Sequence, residues 1–261
     1  MLLTGATGFI GRRLAAALAA RGRRPWLLVR PGSTHKVAQV AERLPDKAPA
    51  PEVVEGDLRL DDLGLDDDAH RRLAGNVSEV FHLGAVYDLG MDEPQAMEVN
   101  VEGTRRMLAL AAGLPKLRRF HHVSTLAVSG DHQHDFTEDD LDVGQGFDYP
   151  YARSKFLAEK LVREKADDLP VTIYRPGVVV GDSRTGEMDK LDGPYFLFQV
   201  LRGLRRIPGA RRLPMIVPRE TDAYIHLVPV DYVVSALDAL AARTDTAGRT
   251  YHLMDPAPLS Y

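Results

Sequence analysis

With 261 residues, 44% of them hydrophobic and 27% charged, the chain has the length and balance of one large α/β domain or two small ones. A net charge of −4 gives no global pull toward nucleic acid or a membrane surface, and no apolar run approaches the roughly 20 residues of a membrane-spanning helix. The absence of cysteine excludes a disulfide framework, a thiolate nucleophile and a cysteine-ligated metal, and it fits a cytoplasmic enzyme.

In chain order, strand and helix alternate. MLLT at the start is a short apolar strand, and GRRLAAALAARG (11–22) has helical spacing at Leu14 and Leu18 with a stop at Gly22. PWLLVR (25–30), EVVEGD (52–57) and part of VSEVFHLGA (77–85) predict the next three strands. Between them lie a Pro/Ala-rich loop (45–53) and an acidic, solvated helix start (61–72). A helix over 96–113, a fifth strand over 118–125, a strongly helical run over 151–166, and a sixth strand with its loop over 170–181 follow. Strands that read as near-continuous Val/Ile/Leu runs are buried on both faces, and βαβ alternation predicts a parallel sheet with helices on each side. The rhythm breaks after residue 181. Residues 182–224 read as a substrate-binding insertion over the C-terminal edge of the sheet, and 225–261 as a return to the first domain, which occupies 1–181. The first strand has almost no lead-in, and the last residues stop where a further helix is expected, so the chain reads as a piece of a longer protein or a product with a trimmed tail.

TGATGFIG (4–11) spaces Gly5, Gly8 and Gly11 as G-x-x-G-x-x-G between a strand and a helix. In that context Gly5 makes the tight turn, Gly8 lets the backbone approach a pyrophosphate, and Gly11 lets the helix pack closely on the sheet. The helix N-terminus offers unpaired N–H groups to the phosphates. A ribose selector belongs at the end of the second strand, where an acid favours NAD. Here Arg30 stands at that place, with Arg12 and Arg13 just after the last glycine. Arginine grips a 2′-phosphate bidentately, which predicts NADPH.

YARSK places Tyr151 and Lys155 four apart, on one face of a helix. A tyrosine with a pKa of about 10 is a poor acid near neutrality, but a nearby ammonium can lower that value by about 1–3. The phenol then serves as general acid to a carbonyl oxygen receiving hydride. HHVSTLAVSG ends the fifth strand and supplies Ser124 and Thr125, of which side-chain alternation turns only one toward the site.

TGATGFIG, the Asp57 of EGDL, HLGA, the Asn100 of VNVEGT, VST, YARSK and YRPGVVVG together, in this order and over nearly the whole chain, resemble the extended short-chain dehydrogenase/reductases. The resemblance implies a Rossmann-type doubly wound fold. It implies Tyr151 as proton donor, and Lys155 on the nicotinamide ribose. Thr125 becomes the carbonyl-side hydroxyl with Ser124 as runner-up, and Asn100 lies near the active site. It also implies cofactor contacts from Thr7, Phe9, Ile10 and Arg12 beside the glycines, from Asp57 and Leu58 at the adenine, from Gly84 and Ala85, and from Pro176 and Val178 bordering the nicotinamide. YRPGVVVGDSRTGEMDKLDGPYFLFQVL, HLGAVYDL and VPVDYVV resemble in particular the thioester reductase and fatty acyl-CoA reductase branch. That branch implies NADPH-dependent reduction of an acyl-CoA or acyl-phosphopantetheine thioester to an aldehyde, and onward to an alcohol, with fused domains or a carrier protein as partners.

The bottom-up support is an apolar GPYFLFQVL (193–201), which serves equally as acyl lining or core, and the cluster Arg202, Arg205, Arg206, Arg211 and Arg212, which serves equally as phosphate contact or solvated face. A sugar-nucleotide epimerase or dehydratase, a hydroxysteroid-type dehydrogenase and a non-catalytic NADP-binding sensor share parts of this pattern. Arg30 argues against the epimerase, and the intact Thr125, Tyr151 and Lys155 argue against the sensor. DHQHD (131–135) reads as a surface loop rather than a metal site, and His121 and His122 face opposite sides of a strand.

Overall fold

The computed structural model describes residues 1–87, 91–189, 224–255 and 259–260. The stretch GPYFLFQVL, the arginine cluster and most of the expected substrate segment lie outside the described residues.

Six strands come in the expected order. They are β1 (Leu2–Thr4), β2 (Trp26–Val29), β3 (Glu52–Glu55), β4 (Glu79–His82), β5 (Arg119–Val123) and β6 (Val171–Pro176). Three shorter strands, β7 (Val178–Val180), β8 (Tyr224–Ile225) and β9 (Leu227–Pro229), precede β10 (Arg249–Leu253) and β11 (Leu259–Ser260). The main sheet is parallel throughout, in the order β3-β2-β1-β4-β5-β6-β10. Residues 249–253, read from sequence only as an ending, are thus its seventh strand. Every residue of β1, β2, β4 and β6 is buried, the polar Thr4, Glu79, His82, Thr172 and Arg175 among them.

The helices are α1 (Phe9–Ala20), α2 (Val37–Ala41), α3 (Asp67–Asn76), α4 (Glu93–Ala96), α5 (Gly103–Ala112), α6 (Pro150–Glu164) and α7 (Val230–Ala241). The acidic stretch starts a helix as expected, since the Asp66 side chain accepts from Ala69 N–H at 2.8 Å and caps α3. Residues 96–113, read as one helix, open with a π-helical turn at Met97–Glu102 before α5. The short 3₁₀ turn Pro31–Lys36 and α2 carry too few periodic residues to announce themselves.

Strand alternation divides the core into two layers. Leu3, Leu27 and Phe81 pack with Leu14 and Leu18 of α1 and Val233 and Leu237 of α7. Leu2, Leu28, Val80 and Phe120 pack on the other face with Leu73, Met107 and Val162. Each fully buried leucine here contributes about 1.5–3 kcal/mol. Past β6 the chain leaves the sheet at Gly177, and β7 pairs instead with β9. Only glycine fits at that exit, because a Cβ at 177 would stand 2.4 Å from the His226 carbonyl oxygen. The C-terminal ends of β1, β2, β4, β5 and β6 therefore open onto one cavity.

Candidate active site

The cavity has a volume of about 820 Å³. It begins at the glycine loop. Gly5 is in the left-handed region (φ +67°), and a Cβ there would meet the Leu83 carbonyl carbon at 2.8 Å. Gly8 caps α1 without a side-chain bond, so the first N–H groups of this helix are left for a ligand. Gly11 packs against the loop rather than the sheet, since its Cβ would lie 2.1 Å from the Gly5 carbonyl oxygen. The three glycines thus make a cradle that any side chain would fill, and a dinucleotide pyrophosphate fits it.

Thr7, Phe9, Ile10, Arg30, Asp57, Leu58, Gly84, Ala85, Pro176 and Val178 all line the cavity with the glycines. Arg12 does not. One step past Gly11 on the helix, it turns to the carboxylates of the loop after β7, paired with Asp189 and 3.9 Å from Glu187. Arg13 is also engaged elsewhere, on the Phe9 carbonyl at 3.0 Å and on Glu187 at 3.0 Å. Arg30 is exposed at the end of β2 with no ion pair among the described residues, and the basic company it keeps in the cavity is Lys36 and Arg59. Lys36 was readable only as a second cation in the loop Arg30 opens. Arg59 holds Asp57 through bonds of 2.6–3.1 Å, which keeps that carboxyl below the usual carboxylate range.

At the other end stand the hydroxyls. Thr125 caps the turn Leu126–Ser129, its Oγ1 accepting from Ala127 N–H at 3.2 Å, and its hydroxyl neighbours the Tyr151 phenol. Ser124 also lines the cavity, but its Oγ is buried without a hydrogen-bond partner and its N–H donates to the Tyr174 carbonyl at 2.7 Å. The geometry brings Thr125, not Ser124, to the phenol.

Burial, and next the Tyr87 phenol, push Tyr151 up to about 12, against the pull of the neighbouring Thr125 hydroxyl. The expected lowering by Lys155 is not what governs this phenol. Burial brings Lys155 down to about 8, while Glu159 raises it, and its Nζ donates to the Val123 carbonyl at 2.8 Å. The Tyr87 ring meets Tyr151 edge-on, with centroids 4.9 Å apart. Tyr87, inside HLGAVYDL but given no role from sequence, and Tyr149, in no motif, are cavity residues, and with Val178 they are exposed.

Asn100 is not in the cavity wall. From the π-helical turn its side chain accepts from Val86 N–H at 2.9 Å and donates to Ser154 Oγ at 2.9 Å, fastening the loop after β4 to α6. The rings of His132 and His134 touch at 5.6 Å between centroids. No group of three or more histidine or carboxylate side chains able to hold a metal occurs among the described residues. Among the described residues no helix is long and apolar enough to cross a membrane.

Comparison with known proteins agrees with this geometry. The family profile described as male sterility protein, an NAD-binding family, matches residues 3–237. The chain is 31% identical to the nonribosomal peptide synthetase asaC of Aspergillus flavus, over 99% of its own length and 26% of that protein. It is 30% identical to the fatty acyl-CoA reductase wat of Drosophila melanogaster, over 76% of its length and 42% of that protein. The terminal R domain from the myxalamid PKS-NRPS biosynthetic pathway superposes with a TM-score of 0.84 at 35% identity, covering 100% of this chain and 66% of that one. The chain thus spans about a quarter of the one curated relative and less than half of the other.

Proposed function

The chain belongs to the male sterility protein family of the extended short-chain dehydrogenase/reductases and is an oxidoreductase, and from that premise we propose that it reduces an acyl thioester to an aldehyde with NADPH, using Tyr151 as proton donor. The observation that carries this reading is a pair of neighbouring hydroxyls, Thr125 and Tyr151, in a cavity where Tyr87, Tyr149 and Val178 are exposed. A carbonyl needs the first and an acyl chain the second. The relatives' names, a peptide synthetase and a fatty acyl-CoA reductase, support a thioester of phosphopantetheine, in coenzyme A or on a carrier protein.

The glycine loop, Asp57, Leu58, Gly84, Ala85, Pro176 and Val178 would hold the dinucleotide, and Arg30 with Lys36 its 2′-phosphate. Bound there, the reduced nicotinamide supplies a hydride to the carbonyl carbon. Lys155 has three donors and uses one on Val123, which leaves two for ribose hydroxyls. Thr125 and Tyr151 stabilise the charge that develops on the carbonyl oxygen. With its pKa near 12, Tyr151 is fully protonated at neutral pH, and the more basic alkoxide of a tetrahedral adduct takes its proton. When the adduct collapses, the oxygen returns that proton, the carbonyl re-forms, and the C–S bond breaks with its electron pair on sulfur. A thiol pKa of about 8.5 makes thiolate a competent leaving group. The balance is thioester, NADPH and a proton to aldehyde, thiol and NADP⁺. Residues 1–181 and 225–261 would carry the cofactor and 182–224 the substrate, in the cytoplasm where NADPH is kept reduced.

The test is NADPH oxidation, followed by near-ultraviolet absorbance, with a long-chain acyl-CoA and with NADH as control. Acyl-dependent oxidation that Tyr151→Phe abolishes without loss of NADPH binding is the expected result. Full turnover in Tyr151→Phe, or no oxidation by a wild type that binds NADPH, overturns the reading.

A further inference from the structure

Tyr151 is the second residue of α6, so no helical turn lies ahead of it for its ring to rest on. A phenol that must meet one particular oxygen then needs a stop from another element. The loop after β4 supplies one. The Tyr87 ring stands edge-on to the Tyr151 ring, at 82° with centroids 4.9 Å apart, an arrangement that aromatic quadrupoles favour. Both tyrosines line the same cavity.

A ring carried on a loop is a poor stop unless the loop is held. Here one buried amide holds the backbone of both partners. Asn100 Oδ1 accepts from Val86 N–H at 2.9 Å, and its Nδ2 donates to the Val86 carbonyl at 3.3 Å. The residue before Tyr87 is thus clamped through both of its backbone polar groups. Nδ2 also donates to Ser154 Oγ at 2.9 Å, and the Ser154 hydroxyl donates to the Tyr151 carbonyl at 2.9 Å. The two N–H groups of the amide are thereby spent, one toward each tyrosine's segment. The contact between the two rings closes the circuit that Asn100 opens.

We propose that Tyr87 is a positioning residue for the reduction: its ring, clamped through Val86 to Asn100, holds the Tyr151 phenol at the angle from which it reaches the carbonyl oxygen. This rests on the reading of Tyr151 as proton donor. Tyr87 acts through Tyr151 and draws nothing from the substrate. It therefore governs the fraction of bound complexes that react, not how tightly the acyl group is held. Its loss falls on kcat with KM unchanged, and equally for every acyl length. A ring that served the acyl chain instead would show in KM, more so for longer chains.

The experiment uses the whole chain with NADPH and with a short-chain and a long-chain acyl-CoA. The variants are Tyr87→Leu, which removes the ring, and Tyr87→Phe, which keeps it. NADPH fluorescence on binding checks folding and the cofactor site. An edge-on aromatic pair favours its own geometry by a factor of about 2 to 10, so kcat in Tyr87→Leu falls about 2- to 10-fold on both thioesters, at unchanged KM. Tyr87→Phe recovers most of that loss. No fall in kcat in Tyr87→Leu, a rise in KM that grows with acyl length, or a Tyr87→Phe as slow as Tyr87→Leu each overturns the inference and leaves the thioester reading standing. Should Tyr87→Leu lose NADPH binding, Tyr87→Met takes its place, and loss of binding there as well assigns Tyr87 to the fold and overturns the inference. A wild type that binds NADPH and leaves both thioesters untouched, or full turnover in Tyr151→Phe, overturns the reading of the site and this inference with it.

Discussion

Arg30→Ala separates the 2′-phosphate reading from a merely basic surface. Arg30 is exposed, lines the cavity, and forms no ion pair among the described residues, so its removal breaks nothing in the apo chain. A charge-assisted hydrogen bond contributes about 1.5–3 kcal/mol, and exposure with salt screening places this one at the low end. At about 1.4 kcal/mol per decade, the Kd for NADPH rises about tenfold and the Kd for NADH stays put. Lys36→Ala adds a smaller loss. The double variant falls short of the sum, because both cations act on one phosphate. The assay is fluorescence titration of both nucleotides at two salt concentrations, with the wild-type NADPH affinity the more salt-sensitive. Arg12→Ala serves as the contrast: its guanidinium is occupied by Asp189 and Glu187, so it leaves the NADPH/NADH ratio unchanged. If Arg30→Ala weakens both nucleotides alike, or if the ratio moves with Arg12 instead, the assignment is wrong.

Removing the oxyanion donor, Thr125→Val lowers kcat by about 10²–10³, while Ser124→Ala has a far smaller effect; steady-state kinetics with the thioester distinguishes the two. Gly11→Ala places a methyl 2.1 Å from the Gly5 carbonyl oxygen, so the loop opens and NADPH binding is lost, which calorimetry of nucleotide binding reads. Lys155 has a folded pKa of about 8 against 10.5 unfolded, so between those values the unfolded chain holds more protons and stability rises with pH. Below about pH 8 the buried ammonium is a constant penalty. Lys155→Met therefore unfolds at higher urea than the wild type at pH 7, by a margin that shrinks from pH 8 to 10.5, although it is inactive. A margin independent of pH contradicts that assignment.

The parts legible in the sequence are those where one residue type has one physical use. The glycine spacing, the apolar strands and the Tyr151–Lys155 pair declared themselves because backbone clearance, double-faced burial and helical periodicity each leave a local mark. Arg12 misled because adjacency in sequence is not adjacency in space: one helical step past Gly11 carries its side chain round to partners at 187–189, which no local pattern foretells. The phenol's high pKa was illegible for a similar reason. The pairing of Tyr151 with Lys155 is local, whereas the burial and the Tyr87 contact that outweigh it are tertiary. His226 had no signal, because its place in the cavity depends on β7 and β9 pairing between residues 49 apart in the chain, as Val178 with Leu227.

Asn100 shows how a motif residue can matter without touching the substrate. Gly84 N–H donates to Thr4 Oγ1 at 2.8 Å, and Thr4 lies 2.8 Å from His82 Nδ1. His82 Nε2 lies 3.0 Å from Thr104 Oγ1, which donates to the Asn100 carbonyl at 2.6 Å. A hydroxyl has one proton, and Thr104 spends its proton on Asn100, so Nε2 of His82 must be the donor and Nδ1 the acceptor from Thr4. From Asn100 the chain continues to Ser154, whose hydroxyl donates to the Tyr151 carbonyl at 2.9 Å. Counting protons thus fixes one tautomer and one direction from the strand beneath the glycine loop to Tyr151. Burial, with the charge of Lys155, holds His82 down to about 3, so the direction does not reverse near neutral pH. Each bond contributes only about 1 kcal/mol net, but orphaning any one partner costs about 1–3 kcal/mol. The loop of residues 83–87 therefore cannot slip relative to α6 without stranding buried polar groups, and the distance between the cofactor cradle and Tyr151 is set by that penalty.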